Sequence, residues 1–191
     1  MRKSKFNLLS IYLNEVLKVP DILYTGRSSK SSKFDIKYVG GDEANDQHGP
    51  GFYLTTTEDT AYGYAAPNGV ILKVKHKLKK LISEGDRLTK KMESDAKKLI
   101  NMAPNLIDAL QDWGYDPPYM SAEQAMNEML DVIIKHDDAQ DTFLSIWGDV
   151  YLRPGDSKKY VQNMAKLGYD GITVKVGNEL YVVVYNKNKL E

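Results

Sequence analysis

The chain has 191 residues, of which 42% are hydrophobic and 27% charged, a composition typical of a globular domain with a core. Lys and Arg total 26 and balance 26 Asp and Glu, so net charge predicts no general attraction to nucleic acid or an anionic membrane. The absence of cysteine excludes disulfides, thiolate zinc sites and a cysteine nucleophile. Apolar runs are too short to span a membrane, and a signal peptide is not expected. We therefore expect a soluble, cytoplasmic protein, in the producing or a target cell, without a membrane partner.

The first part of the chain predicts short strands separated by loops and helices. Apolar residues recur at helical spacing over residues 5–18, and Pro20 ends this predicted helix. The elements predicted after it are strands at 22–26, 52–54 and 70–74, loops at 28–32 and 36–51, and a helix at 58–66.

The middle of the chain is helical in pattern and divided by charge. Breaks in the helical pattern are predicted at Pro104, at 114–118 and at 137–138. Residues 73–98 hold ten Lys or Arg and four Asp or Glu, whereas residues 108–149 hold ten Asp or Glu and one Lys. We interpret these segments as two solvated helical faces or two helices that pair. The alternative is a basic face that contacts nucleic acid or an acidic target.

Strands return at the end of the chain. A helix is predicted at 157–167, a turn at 168–171, and a hairpin of strands 172–176 and 180–185 around Gly177-Asn178. Strands at both ends therefore enclose a helical middle, which predicts an α+β fold. We expect a single domain over residues 1–191 with a helical insertion at 86–150.

The common motifs of cofactor and metal binding are absent. No phosphate-binding Gly-Lys loop occurs, and Gly49-Pro50-Gly51 precedes a strand rather than following one, so it is not a dinucleotide fingerprint. His48, His76 and His136 lack metal-ligand spacing and are interpreted as surface or loop residues. No metal site is predicted.

Four short motifs stand out instead: Tyr24-Thr25-Gly26-Arg27, residues 51–55, residues 61–65 and Asn178-Glu179. Together they resemble the ADP-ribosyltransferase family, in its His-Tyr-Glu branch that includes diphtheria toxin and the poly(ADP-ribose) polymerases. The stretch 51–64 is particularly similar to the diphtheria toxin core, and Tyr53 and Tyr64 keep the eleven-residue separation of the family. Residues 168–172 and 181–186 look like the closing strands of such domains in phage and bacterial proteins.

The resemblance implies a split antiparallel β-sheet core with a helical insertion, and a mono-ADP-ribosyltransferase that uses NAD as its substrate. ADP-ribose would pass to a protein or nucleic-acid acceptor while nicotinamide leaves. It also implies a bacterial or phage effector or toxin, with a possible antitoxin or immunity partner.

The resemblance also assigns roles to residues, and these roles fit their chemistry. Tyr53 and Tyr64 would stack on the two faces of nicotinamide, Gly26 would let the backbone meet the nicotinamide amide, and Glu179 would stabilise the cationic ribose. The strand Tyr24-Thr25-Gly26-Arg27 would line the NAD site. Thr25 stands where the family has His or Arg, and we hypothesise that Arg27 contacts the pyrophosphate instead.

Alignment of Tyr185-Asn186 with the end of family members places Tyr181 at the position of the catalytic glutamate. Glu179 lies two residues earlier, on the same face of a strand. Three alternatives remain open: an NAD glycohydrolase, a degenerate module that binds NAD or a partner without catalysis, and modification of nucleic acid. The tyrosines could also be core residues, and Glu179 a turn residue.

Overall fold

The computed structural model describes residues 19–27, 34–39, 48–65, 67, 69–151 and 153–191. The helix predicted at 5–18 and the loop predicted at 28–32 lie outside the described residues, as do residues 40–47 of the predicted loop at 36–51. Residues 36–38 of that loop form a short 3-10 helix.

The strands of the described residues are β1 (Ile22–Arg27), β2 (Phe52–Thr55), β3 (Val70–Lys75), β4 (Leu81–Ser83), β5 (Gly171–Val176) and β6 (Glu179–Val184). They form one sheet in the order β3-β1-β2-β6-β5-β4. Neighbouring strands are antiparallel except β4 and β5, which are parallel, so the sheet is mixed. The expectation of an entirely antiparallel sheet is therefore wrong at the edge that β4 forms.

The helices lie between β2 and β5, apart from the short loop turns, and this arrangement confirms the predicted α+β class. They are α1 (Glu58–Tyr64), α2 (Lys90–Asn101), α3 (Leu106–Asp112), α4 (Ala122–Ile133), α5 (Ala139–Val150) and α6 (Asp156–Lys166). The predicted breaks fall between α2 and α3, between α3 and α4, and between α4 and α5, where Asp137 has a left-handed φ of 53°.

The parallel edge strand β4 was not predicted from the sequence. It has only three residues, which is too short to show an alternating pattern. Asp170 anchors the entry to this strand, because its Oδ2 accepts the backbone N–H groups of Lys79 at 2.8 Å and Lys80 at 3.0 Å. Asp170 is therefore a structural link between two distant segments.

The helices and the sheet share one hydrophobic core. Leu54 of β2 and Val182 of β6 are fully buried from the sheet, and Leu99, Phe143 and Tyr160 are fully buried from the helices. The helical segment therefore covers part of the sheet and contributes to the same apolar interior.

Candidate active site

The strand register defines the face of the sheet on which the site lies. Tyr53 of β2 is directly opposite Val183 of β6, and Thr55 is opposite Tyr181. Residues opposite one another in an antiparallel pair share a face, and alternate residues of a strand do so too. Tyr53, Tyr181 and Glu179 therefore lie on one face, which we call the site face.

Four aromatic rings follow one another along the site face. The Tyr53 ring lies 6.4 Å from the His48 ring, centroid to centroid, and the His48 ring lies 5.7 Å from that of Tyr181. The Tyr181 ring meets the Tyr64 ring edge to face at 6.2 Å. Tyr53 and Tyr64, predicted as a stacking pair, are thus joined through His48 and Tyr181.

The carboxylate of Glu179 is held at one end of this row of rings. Its Oε2 accepts hydrogen bonds from the hydroxyl of Thr57, at 3.1 Å, and from the hydroxyl of Thr60. Both threonines belong to the start of α1, where Thr57 is the N-cap residue. Oε1 accepts no hydrogen bond from the part of the chain that the structure describes, so it is available to a ligand.

Tyr181 occupies the centre of the site and is only 9% exposed. The hydroxyls of Tyr181 and Tyr64 are hydrogen-bonded, with 3.2 Å between the two oxygens. The hydrogen bond with Tyr64, together with burial and the negative charge of Glu179, raises the pKa of Tyr181 to about 12. Tyr181 is therefore neutral at physiological pH and can act as a hydrogen-bond donor, not as a base.

Gly26 lies directly against the backbone of α1. A methyl group added at Gly26 would stand 2.0 Å from the carbonyl oxygen of Ala61 and 2.6 Å from the backbone nitrogen of Ala65. Only glycine allows this approach. The close contact fixes α1, and with it Thr57 and Tyr64, relative to β1.

The remaining residues of the β1 motif are divided between the two faces. Tyr24 is opposite Thr55 and shares the site face, whereas alternation places Thr25 and Arg27 on the opposite face. The guanidinium of Arg27 lies 4.1 Å from the ring centroid of Phe34, and burial lowers the pKa of Arg27. The structure therefore does not bring Thr25 and Arg27 together with the tyrosines and Glu179.

Sequence reasoning did not identify His48 and did not assign a role to Thr57 or Thr60. His48 precedes β2 in a loop, where no periodic pattern predicts the direction of a side chain. The two threonines match an N-terminal helix signal, and that signal predicts capping but not contact with a residue more than a hundred positions later.

Features elsewhere in the described residues offer less for chemistry. A groove of about 410 Å³ on the other side of β2, lined by Phe52, α6 and residues 185–188, contains neither a carboxylate nor a histidine. The described residues contain no group of three or more potential metal ligands. No helix within the described ranges is both long and apolar enough to cross a membrane.

Among the described residues, one ion pair joins the basic and acidic segments predicted from the charge pattern, and Nζ of Lys97 also donates a hydrogen bond to Oδ1 of Asn127. Arg87 and Asp137 form an ion pair at 3.6 Å, with both side chains mainly exposed. Lys91 and Lys98 instead pair with Asp95 of their own helix, at 2.5 and 3.2 Å.

Comparison of the chain with protein-family models, with curated proteins and with solved structures finds no match.

Proposed function

We propose that the protein is a mono-ADP-ribosyltransferase that uses NAD and transfers ADP-ribose to a protein or nucleic-acid acceptor. The observation that supports this most is the position of Glu179. Its carboxylate is oriented by two hydroxyl groups beside a row of aromatic rings on one face of the sheet. A flat, positively charged nicotinamide ring suits an aromatic surface next to a carboxylate.

In this proposal the aromatic residues bind and the carboxylate promotes the reaction. Nicotinamide stacks against the aromatic surface that Tyr53, Tyr181 and Tyr64 form, and the hydroxyl of Tyr181 hydrogen-bonds to the ligand. The Glu179 carboxylate stabilises the positive charge that develops on the ribose as the glycosidic bond breaks.

The reaction breaks the bond between the anomeric carbon and the nicotinamide nitrogen, and its electron pair leaves with nicotinamide. An oxygen or nitrogen of the acceptor then bonds to the anomeric carbon and loses a proton to solvent. Water in place of the acceptor would give the glycohydrolase reaction.

The test uses purified protein, NAD labelled in its adenine part, and a bacterial lysate as the source of acceptors. We measure both nicotinamide release and label in macromolecules for the wild-type chain and for Glu179→Gln. Glu84→Gln is the matched control, because Glu84 is exposed in the turn after β4 at the edge of the sheet. Protease and nuclease treatment of the product identify the acceptor class.

We expect label in macromolecules with the wild-type and Glu84→Gln proteins, and a loss of about 100-fold or more in Glu179→Gln. Nicotinamide release without label in any macromolecule would assign the glycohydrolase reaction instead. NAD binding without either product would assign a binding module, and absence of binding would overturn the proposal.

A further inference from the structure

We propose that His48 contacts the substrate in the candidate site, where its imidazole hydrogen-bonds to the bound NAD. This inference rests on the proposed function and adds a residue that the sequence motifs do not contain. Three observations support it: the fixed backbone of His48, the position of its ring, and the lack of a hydrogen bond from that ring to any residue that the structure describes.

The backbone around His48 is fixed by the hydroxyl of Tyr53. This hydroxyl accepts a hydrogen bond from the N–H of His48 at 3.0 Å and donates one to the carbonyl oxygen of Gly49 at 2.7 Å. One side chain therefore closes a ring of hydrogen bonds with two consecutive residues of the loop. The phenol oxygen of Tyr53 therefore holds the loop that carries His48.

The helical segment supports the same loop from the other side. Gly49 has a φ of +89°, and a methyl group added there would lie 2.5 Å from Cδ2 of Leu144 on α5. Leu144 is thus packed directly against the residue that follows His48. The position of the imidazole depends on β2 and on the helical segment together.

The ring of His48 lies between Tyr53 and Tyr181 and is half-buried. Its two nitrogens make no hydrogen bond to any described residue, although each imidazole nitrogen requires a donor or an acceptor. A structural histidine behaves differently in this chain, because Nε2 of His76 lies 2.8 Å from the carbonyl oxygen of Pro20. The imidazole of His48 is therefore placed to bond to a polar group of a molecule seated on Tyr181.

Histidine side-chain NMR tests the contact directly. The chain has three histidines, so few signals occur, and His48→Gln identifies the signal of His48. NAD is titrated into ¹⁵N-labelled Glu179→Gln protein, in which turnover is suppressed. We expect the His48 nitrogen signals to shift on binding, while the His76 signals stay in place.

Kinetics then separate a substrate contact from a structural role. We expect His48→Ala to raise the KM for NAD about tenfold with a smaller effect on kcat, and His48→Gln to restore part of the affinity. Tyr53→Phe keeps the ring but releases the loop, so it should raise KM several-fold in the wild-type background and have no further effect in His48→Ala. His76→Ala is the control for loss of an imidazole outside the site.

The possible failures are distinguishable. If Glu179→Gln abolishes activity, but His48→Ala has the wild-type KM and the NMR signals of His48 do not shift when NAD is added, the inference is wrong. The proposed function then stands. If Tyr53→Phe raised the KM for NAD by the same factor in the wild-type and His48→Ala backgrounds, that result would also contradict the inference. If the wild-type chain neither binds nor consumes NAD, both are overturned.

Discussion

The hydroxyl of Tyr64 on α1 hydrogen-bonds to the hydroxyl of Tyr181 on β6, with 3.2 Å between the oxygens. This contact links the exposed side of the short helix to the central strand of the site face. It also connects the two residues to Glu179, because Thr57 and Thr60 of the α1 region hold the Glu179 carboxylate. The helix, the tyrosine pair and the carboxylate thus form one unit, and each part of it can be tested separately.

The tyrosine pair predicts a change in stability at alkaline pH. The pKa of Tyr181 in the folded protein, about 12, exceeds the value of about 10 expected in the unfolded chain. The folded state therefore holds this proton more tightly, and the resulting stabilisation is complete below about pH 10 and is lost as pH rises through about 12. We expect Tyr64→Phe to lower the pKa of Tyr181 and to cost about 1 kcal/mol at pH 8.

The measurement combines ¹³C NMR of ζ-labelled tyrosines, assigned with Tyr181→Phe, and urea unfolding at pH 8 and above. Tyr119→Phe is the control, because the Tyr119 side chain is 87% exposed. A Tyr181 pKa close to 10 in the wild-type protein would contradict the role of the Tyr64 contact.

The hydroxyl of Thr60 predicts a positioning effect on Glu179. Thr60→Val keeps the shape of the side chain but removes the hydrogen bond to Oε2. We expect about a tenfold loss of kcat with little change in melting temperature, because the contact is near the surface. Thr60→Ser should restore activity, whereas equal activity of the Val and wild-type forms would show that the hydroxyl does not orient the carboxylate.

The close approach of α1 to β1 predicts opposite effects for two glycines. Gly26→Ala forces a methyl group into the backbone of α1, and we expect a loss of about 2 kcal/mol or more in unfolding free energy. Gly63 lies in α1 itself, and a methyl group added there would meet no other atom. Gly63→Ala should therefore raise the free energy of unfolding by about 0.5–1 kcal/mol. Urea unfolding of both variants measures the difference, and similar effects of the two substitutions would refute the packing argument.

Asp95 predicts a loss of stability at acid pH. Burial by itself would raise the pKa of this carboxyl, but hydrogen bonds from Lys91, Lys98 and Tyr169 outweigh burial and lower the pKa. The stabilisation is therefore present above the pKa of the unfolded chain and is lost as pH falls through the lower, folded value.

We expect Asp95→Asn to cost about 2 kcal/mol at pH 7, and this difference from wild type should shrink as pH falls toward 3. Asp131→Asn is the matched control on the exposed side of α4 and should change stability by less than about 0.5 kcal/mol. Chemical unfolding across this pH range gives the result, and a constant difference between Asp95→Asn and wild type would contradict the ionic origin.

Local patterns predicted most elements of the fold, because each depends on residues close in sequence. Breaker residues predicted the three breaks that separate α2, α3, α4 and α5, and the helix predicted at 157–167 is α6. Gly177, with a φ of 62°, turns the predicted β5–β6 hairpin. The pattern of apolar residues did not predict β4, because its three residues are defined by pairing with β5 about ninety positions later. A strand so short has too few residues to show a periodicity.

The candidate site was predictable only in part. Strand parity predicted that Glu179 and Tyr181 share one face of β6, and the register of β2 and β6 adds Tyr53 to that face. The contacts of Glu179 with Thr57 and Thr60 depend on where α1 packs, which is determined by Gly26.

The sequence by itself determined the α+β plan, the position of most helices and strands, and the residues from which a site could be built. These properties follow from side-chain periodicity and turn chemistry, which act over a few residues. Only the tertiary structure decided that Tyr181 and His48 stand between Tyr53 and Tyr64, and that Arg27 packs on Phe34 on the other face. Such contacts join segments far apart in the chain, and their geometry depends on register, twist and packing of the whole sheet with its helices.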